Sequence, residues 1–280
     1  MIGGAHADLG KVGIIATGDG CRIAYCVDGP ATGPFLLLSH SLGTSMDMWA
    51  PQIEAFSRDY RVLRYDSRGH GASDVPVGAY SMDRLGRDVI ELLDELGVRS
   101  VSFCGLSLGG MVGQWLAWRV PERIERLVVA NSSSYMGPPQ DWDTRIAAVR
   151  AGGMAALVDA VLQRWFTPAF RESHEQAIAP IRTMLLETDA QGYAGCCAAI
   201  RDMDQRRLGA LISAPTLVIG GESDPATPPD HATRLASGIP GARLAMLEAA
   251  HLSNVEQAAP FNVLVASFLA ETAVPLQSDA

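Results

Sequence analysis

Phe103-Cys104-Gly105-Leu106-Ser107-Leu108-Gly109-Gly110 is a short apolar run that enters a Gly-x-Ser-x-Gly turn and leaves it still apolar. Upstream, residues 101–104 read as a strand. Downstream, Met111, Val112, Trp115 and Leu116 recur at helical spacing. Strand, tight turn and helix in that order make a nucleophile elbow, with Gly105 and Gly109 at places too crowded for side chains. Ser107 is therefore the candidate nucleophile. The helix that starts beside it turns its positive end toward the serine, which favours an anion there. The bare pattern also fits a glycine-rich turn with an ordinary surface serine, and the strand and helix flanks count against that.

Working outward, residues 12–17 and 22–27 alternate as a strand pair around Gly18-Asp19-Gly20 and form one sheet edge. Phe35-Leu36-Leu37-Leu38 is apolar on both faces, as a strand covered by helices on each side should be. It opens into His40-Ser41-Leu42-Gly43-Thr44-Ser45, followed by a helix over 48–56. A strand at 61–65 ends in Asp66-Ser67-Arg68-Gly69-His70-Gly71-Ala72-Ser73, read as a structural turn fixed by side-chain hydrogen bonds. Ser81 caps a helix with an apolar stripe at Met82, Leu85, Val89, Leu92, Leu93 and Leu96, and after the elbow another strand runs over 124–130. Such alternation predicts an α/β fold with a mostly parallel central sheet flanked by helices. From 132 to 211 the pattern turns wholly helical, which predicts an inserted helical cap; the core is then 1–131 and 212–280. Strand and helix resume with a strand at 215–220, a helix at 229–237, a strand at 242–247 and a helix at 260–269, before a tail read as mobile at 272–280.

A chain of 280 residues with 48% hydrophobic and 19% charged residues is globular, and a formal charge of −9 without a basic patch argues against nucleic acid as partner. No stretch reaches membrane-span length and residues 1–20 lack a secretory pattern, so no membrane role and a cytoplasmic location are expected. The five cysteines, Cys21, Cys26, Cys104, Cys196 and Cys197, read as reduced thiols; no metal-ligand spacing is present, and no metal is expected.

A serine hydroxyl needs a base within reach, and the base needs a carboxylate to hold its tautomer. His251 stands just beyond a late strand in Glu248-Ala249-Ala250-His251-Leu252-Ser253 and is the candidate base. His6 falls in a loose start, His174 and His231 read as helix surface, and His70 belongs to the glycine turn; His40 is read as ordering its loop. For the acid, Asp224 is preferred over Glu222 because Pro225 stiffens the chain just after it. The order Ser107, Asp224, His251 is that of one serine-hydrolase architecture and not of the others. The backbone amides of Leu108 and Leu42 are the candidate donors to the oxyanion, with Ser41 as the alternative to Leu42.

From about residue 22 to 269 the chain resembles the α/β-hydrolase superfamily, on His40-Ser41-Leu42-Gly43, Asp66 through Gly71, Gly105 through Gly110 and His251. Within it, Ser41-Leu42-Gly43-Thr44, residues 64–73, the cap segments Gly152-Gly153-Met154-Ala155 and Arg164-Trp165-Phe166-Thr167, and Ala250-His251-Leu252-Ser253-Asn254 resemble the 3-oxoadipate enol-lactonases. That resemblance implies a cofactor-free serine hydrolase opening an enol-lactone to 3-oxoadipate in breakdown of aromatic acids. His40 is a departure, since asparagine is common there in that group. The substrate's free carboxylate calls for a cation or amide donors, and the cap offers Trp142, Arg145, Arg164 and Trp165, with Arg145 singled out. The competing readings are a general carboxylesterase, another lactonase or a carbon-carbon bond hydrolase with the same triad. A non-catalytic receptor is disfavoured by the intact Ser107, Asp224 and His251, and Ser107 at the elbow argues against epoxide hydrolase or dehalogenase chemistry. A homo-oligomer is compatible with the sequence.

Overall fold

The computed structural model describes residues 10–271; His6 and the tail 272–280 lie outside the described residues. Strands β1 (Gly13–Ala16), β2 (Arg22–Asp28), β3 (Phe35–Ser39), β4 (Arg61–Tyr65), β5 (Val101–Leu106), β6 (Ile124–Ala130), β7 (Thr216–Gly221) and β8 (Arg243–Leu247) form one sheet. Its order is β1-β2-β4-β3-β5-β6-β7-β8, antiparallel at β1/β2 and β2/β4 and parallel from β4 onward. β5 extends to Leu106, two residues beyond its sequence reading, and like β7 is buried along its whole length. Such strands have apolar side chains on both faces because helices cover both.

The helices of the sheet region are α1 (Ala50–Phe56), α2 (Met82–Glu95) and α3 (Leu108–Arg119). A 3-10 turn, Met46–Trp49, precedes α1, with the Ser45 hydroxyl accepting from the Asp47 amide, so the helix read over 48–56 starts as a tighter turn. Ser81 accepts from the Arg84 amide at the head of α2, and Met82, Leu85, Val89, Leu92 and Leu93 bury its apolar stripe. α3 is buried on nearly every side, as a helix leaving the centre of a sheet must be.

Between β6 and β7 lie α4 (Pro139–Gly152), α5 (Val158–Trp165), α6 (Pro168–Ser173), α7 (Glu175–Glu187) and α8 (Ala190–Asp202); the described residues there add no strand to the sheet, only an isolated bridge between Tyr135 and Asp204. α8 is fastened to the rest of the molecule. A Cβ on its Gly192 would meet the Gly69 carbonyl at 2.1 Å, which only glycine permits. The Tyr80 amide donates to the Gly195 carbonyl at 3.0 Å, and the Thr188 hydroxyl just before α8 donates to the Gly43 carbonyl at 3.2 Å. The end of α5 is tied elsewhere: the Leu252 amide donates to the Trp165 carbonyl at 3.1 Å.

The chain closes with α9 (Pro229–Gly238), α10 (Ser253–Glu256) and α11 (Ala258–Leu269). The 3-10 turn before α1 meets α11 through Trp49 and Phe261, while Trp115 of α3 fills the space over Gly86 of α2. All five cysteines are buried and free. Among the described residues, no helix is long and apolar enough to cross a membrane.

Candidate active site

The chain turns from β3 to β4 on one side and reaches β5 on the other, so the carboxyl ends of β3 and β5 form the crevice where ligands bind in such sheets. β5 delivers Ser107 there with φ 57° and ψ −114°, a strained conformation for a residue with a side chain. The turn is held from both sides: the Ser107 amide donates to the Ala130 carbonyl at 2.9 Å, and the Ser132 hydroxyl donates to the Ser107 carbonyl at 2.7 Å. A Cβ on Gly109 would lie 2.0 Å from the Ser39 carbonyl, so the first turn of α3 sits directly on the end of β3. The Gly109 amide uses that closeness to donate to the His40 carbonyl at 3.1 Å. Leu108, one residue earlier, has the unpaired N–H expected of a helix start.

Asp224 follows β7 and His251 follows β8. His251 Nδ1 lies 2.8 Å from Asp224 Oδ2, and both side chains are buried. Burial opposes charge on the Asp224 carboxyl, but His251 and the surrounding donors outweigh it and hold the acid below its usual range. Those donors include the Ala226 and Thr227 amides on Oδ1, at 2.8 and 2.9 Å, and the Thr227 hydroxyl on Oδ2 at 2.7 Å. Glu222, the competing acid, is exposed. Trp165 flanks the imidazole with ring centroids 6.2 Å apart. Ser107 and His251 line the same cavity without being hydrogen-bonded to one another, the looseness common before substrate is bound.

The loop after β3 borders that cavity through Ser41 and Leu42. Two buried histidines stand behind it. His40 Nε2 accepts from the Ser67 amide at 3.0 Å, and His70 Nε2 accepts from the Gly43 amide at 2.9 Å. Asp66 joins the same two segments, accepting from the Met46 amide at 2.7 Å and the Ala72 amide at 2.9 Å. The turn at 66–73 is thus structural in the sense expected, and what it supports is the loop beside Ser107.

The cavity has a volume of about 520 Å³. Its far wall is formed by α4, α5 and α8, and all four residues suggested for substrate contact, Trp142, Arg145, Arg164 and Trp165, line it. The Trp142 indole N–H is already bonded to the Met136 carbonyl at 2.7 Å, leaving that side chain its apolar face. Arg145 lies over the rings of Trp142 and Tyr193, at 5.5 and 5.7 Å. Arg164 is partly buried with its Nε unpartnered; burial, then repulsion from Arg145, pull its pKa down. Neither guanidinium has a salt-bridge partner among the described residues, although Asp141 also borders the cavity.

A sequence profile described as the alpha/beta hydrolase fold matches residues 34–258. The chain belongs to the α/β-hydrolase family. This hydrolase is 43% identical over 246 residues to the 3-oxoadipate enol-lactonase 2 of Acinetobacter baylyi, spanning 88% of this chain and 92% of that protein. It is 33% identical to the "Putative carbamate hydrolase RutD" of Agrobacterium fabrum, over 85% of this chain and 94% of that one. Its fold is similar to the crystal structure of the enol-lactonase from Burkholderia xenovorans, with a TM-score of 0.91 and 43% identity over 92% of this chain and 100% of that chain.

His231 and Asn131 are among the residues near this hydrolase's candidate site that the sequence did not single out. His231 lies on helix α9, where a surface position was expected, but it is half-buried and also borders the cavity, with its pKa lowered by burial and by Arg234. Helical spacing alone could not show it, because residues 225–228, which line the cavity beside it, belong to a loop. Asn131, at the end of β6 with φ 43°, donates from Nδ2 to Asp224 Oδ2 and to the Ala250 carbonyl, while its Oδ1 accepts from Ser253. Its signal was position alone, a polar residue one step past a strand neighbouring that of Asp224.

Proposed function

We propose that this hydrolase opens 3-oxoadipate enol-lactone, or a close anionic analogue, through an acyl-enzyme on Ser107. The observation that carries the proposal is the pair Arg145 and Arg164, two cations without salt-bridge partners among the described residues, in the cavity that Ser107 and His251 also line. Two cations without ion-pair partners, set against one lining carboxylate at Asp141, in a partly closed space favour a substrate bearing a carboxylate. The similarity to enol-lactonases over most of the chain supports the same substrate class.

In the proposed mechanism His251 takes the Ser107 proton as Oγ attacks the lactone carbonyl, and Asp224 steadies the imidazolium. The amides of Leu42 and Leu108 stabilise the tetrahedral oxyanion. Collapse breaks the ring C–O bond, and the leaving enol oxygen takes the proton back from His251. That enol stays tethered to the acyl chain, so water activated by His251 must cleave the ester before the ring recloses. The freed enol then tautomerises to the ketone. A helical cap over 132–211, with the arginines on its inner wall, would hold the substrate through that interval.

The test is hydrolysis of freshly prepared 3-oxoadipate enol-lactone beside neutral esters of similar size and a simple carbamate, by wild type and Ser107→Ala. Strong preference for the lactone with turnover abolished by Ser107→Ala is the expected result. Turnover of neutral esters or of the carbamate alone would discard the enol-lactone assignment while keeping the serine.

A further inference from the structure

The Ser41–Leu42 peptide is gripped by its oxygen. The Ser41 carbonyl accepts from His40 Nδ1 at 2.8 Å, from the Thr44 hydroxyl at 2.8 Å and from the Thr44 amide at 3.2 Å. The peptide is trans, so its N–H points away from its C=O, and whatever holds the Ser41 oxygen also sets the direction of the Leu42 hydrogen. That hydrogen is bonded to no other described residue, and both Ser41 and Leu42 border the cavity.

The next peptide group of the loop is committed elsewhere. The Gly43 amide donates to His70 Nε2 and the Gly43 carbonyl accepts from Thr188. Of the Leu42, Gly43 and Thr44 amides, only the one at Leu42 is left for a ligand. The partners also fix the protonation of His40. A carbonyl can only accept, so Nδ1 carries the hydrogen; an amide can only donate, so Nε2, facing Ser67, is bare. His40 is wholly buried, and burial pushes its pKa down to about 4, consistent with this single neutral tautomer.

We propose that His40 is a positioning residue: through Nδ1 and the Ser41 carbonyl it aims the Leu42 amide at the oxyanion formed on attack by Ser107. The proposal rests on the serine and oxyanion roles given above. It assigns a function to one nitrogen of the ring and only a scaffolding contact to the other, and the two can be separated.

His40→Asn sets a side-chain amide near the position of Nδ1, preserving donation to the Ser41 carbonyl, whereas His40→Gln reaches the position of Nε2 and preserves only the contact with Ser67. The measurement is the rate at which a fluorophosphonate modifies Ser107, because its P=O occupies the oxyanion position whatever the natural substrate is. Ester kcat and KM, and thermal melting, accompany it. Removal of one oxyanion donor costs about 100- to 1,000-fold in kcat, and misaiming it should cost about 10- to 100-fold. The expected result is that slowing in His40→Gln with KM little changed, and most of the rate kept in His40→Asn. Equal slowing in both variants, or a wild-type rate in His40→Gln, overturns the proposal alone. A wild type that is not modified at Ser107 overturns the serine role and this proposal with it. Should neither variant fold, Thr44→Val removes the second side-chain donor to the same oxygen: slower modification at unchanged KM supports the assignment, and a wild-type rate overturns it.

Discussion

The Asn131 side chain reaches Asp224 Oδ2 at 3.0 Å and the Ala250 carbonyl, one residue before His251, at 3.1 Å. A single buried amide thus joins the loop carrying the candidate acid to the loop carrying the candidate base. Its backbone lies in the left-handed region, which asparagine tolerates better than most residues. Asn131→Ala loses both bonds, leaves buried acceptors short of donors and strains the backbone. The expected cost is about 2–4 kcal/mol in urea unfolding, with a fall in kcat larger than any change in KM.

Arg145 and Arg164 should govern charge selectivity. A hydrogen bond to a charged group contributes about 1.5–3 kcal/mol, so Arg145→Ala or Arg164→Ala is expected to raise KM for a carboxylate-bearing lactone by about 10- to 100-fold. Neutral esters should be little affected. Steady-state kinetics on a matched pair of charged and neutral substrates checks this, and equal losses on both would remove the arginines from substrate recognition.

The buried histidines make stability sensitive to acid. Burial holds His40 near about 4 and, with repulsion from His40, His70 near about 3, whereas in the unfolded chain each would titrate at about 6.5. Below pH 6.5 the unfolded chain takes up protons that the folded protein refuses, so stability falls as pH drops toward 4. Each such proton is worth about 1.4 kcal/mol per pH unit. The stability of wild type relative to His40→Asn should therefore decline by about 3 kcal/mol between pH 6.5 and 4, measured by chemical unfolding at each pH. A constant difference would mean that His40 takes up its proton as readily in the folded protein as in the unfolded chain.

Gly109→Ala is expected to be more damaging than an alanine in a first helical turn normally is. The added methyl would meet the Ser39 carbonyl at 2.0 Å, and relief requires α3 to move away from β3. That movement separates the Leu108 amide from the loop bearing Leu42. Residual activity at least 100-fold below wild type, about the effect of losing one oxyanion donor, is the expected outcome even where the variant folds.

The elements were legible in the sequence where spacing or burial on both faces left one choice: β3, β4, β6 and the stripe of α2 fall within a residue of their expected places. The common placement of Ser107, Asp224 and His251, the candidate triad, was legible because each follows a strand end. Asn131 and His231 were not legible, since their importance comes from loops that meet only in the folded chain. Likewise the glycine turn at 66–73 announced its rigidity but not its beneficiary, which lies 27 residues away in sequence from His70 at Gly43.

The loop bearing His251 is also held by the helices opposite. Leu252 donates its amide to the Trp165 carbonyl, and Glu256 accepts from the Ala250 amide, the Thr167 amide and the Thr167 hydroxyl. Trp165 and Thr167 belong to the end of α5 and the start of α6, so those helices are geared to the imidazole. With α8 packed on Gly69 and Thr188 just before it bonded to Gly43 at the opposite side, a rigid swing of all five helices would break contacts at both ends. Displacing α5 requires either breaking the hydrogen bond between Leu252 and Trp165 or moving the peptides flanking His251 with it.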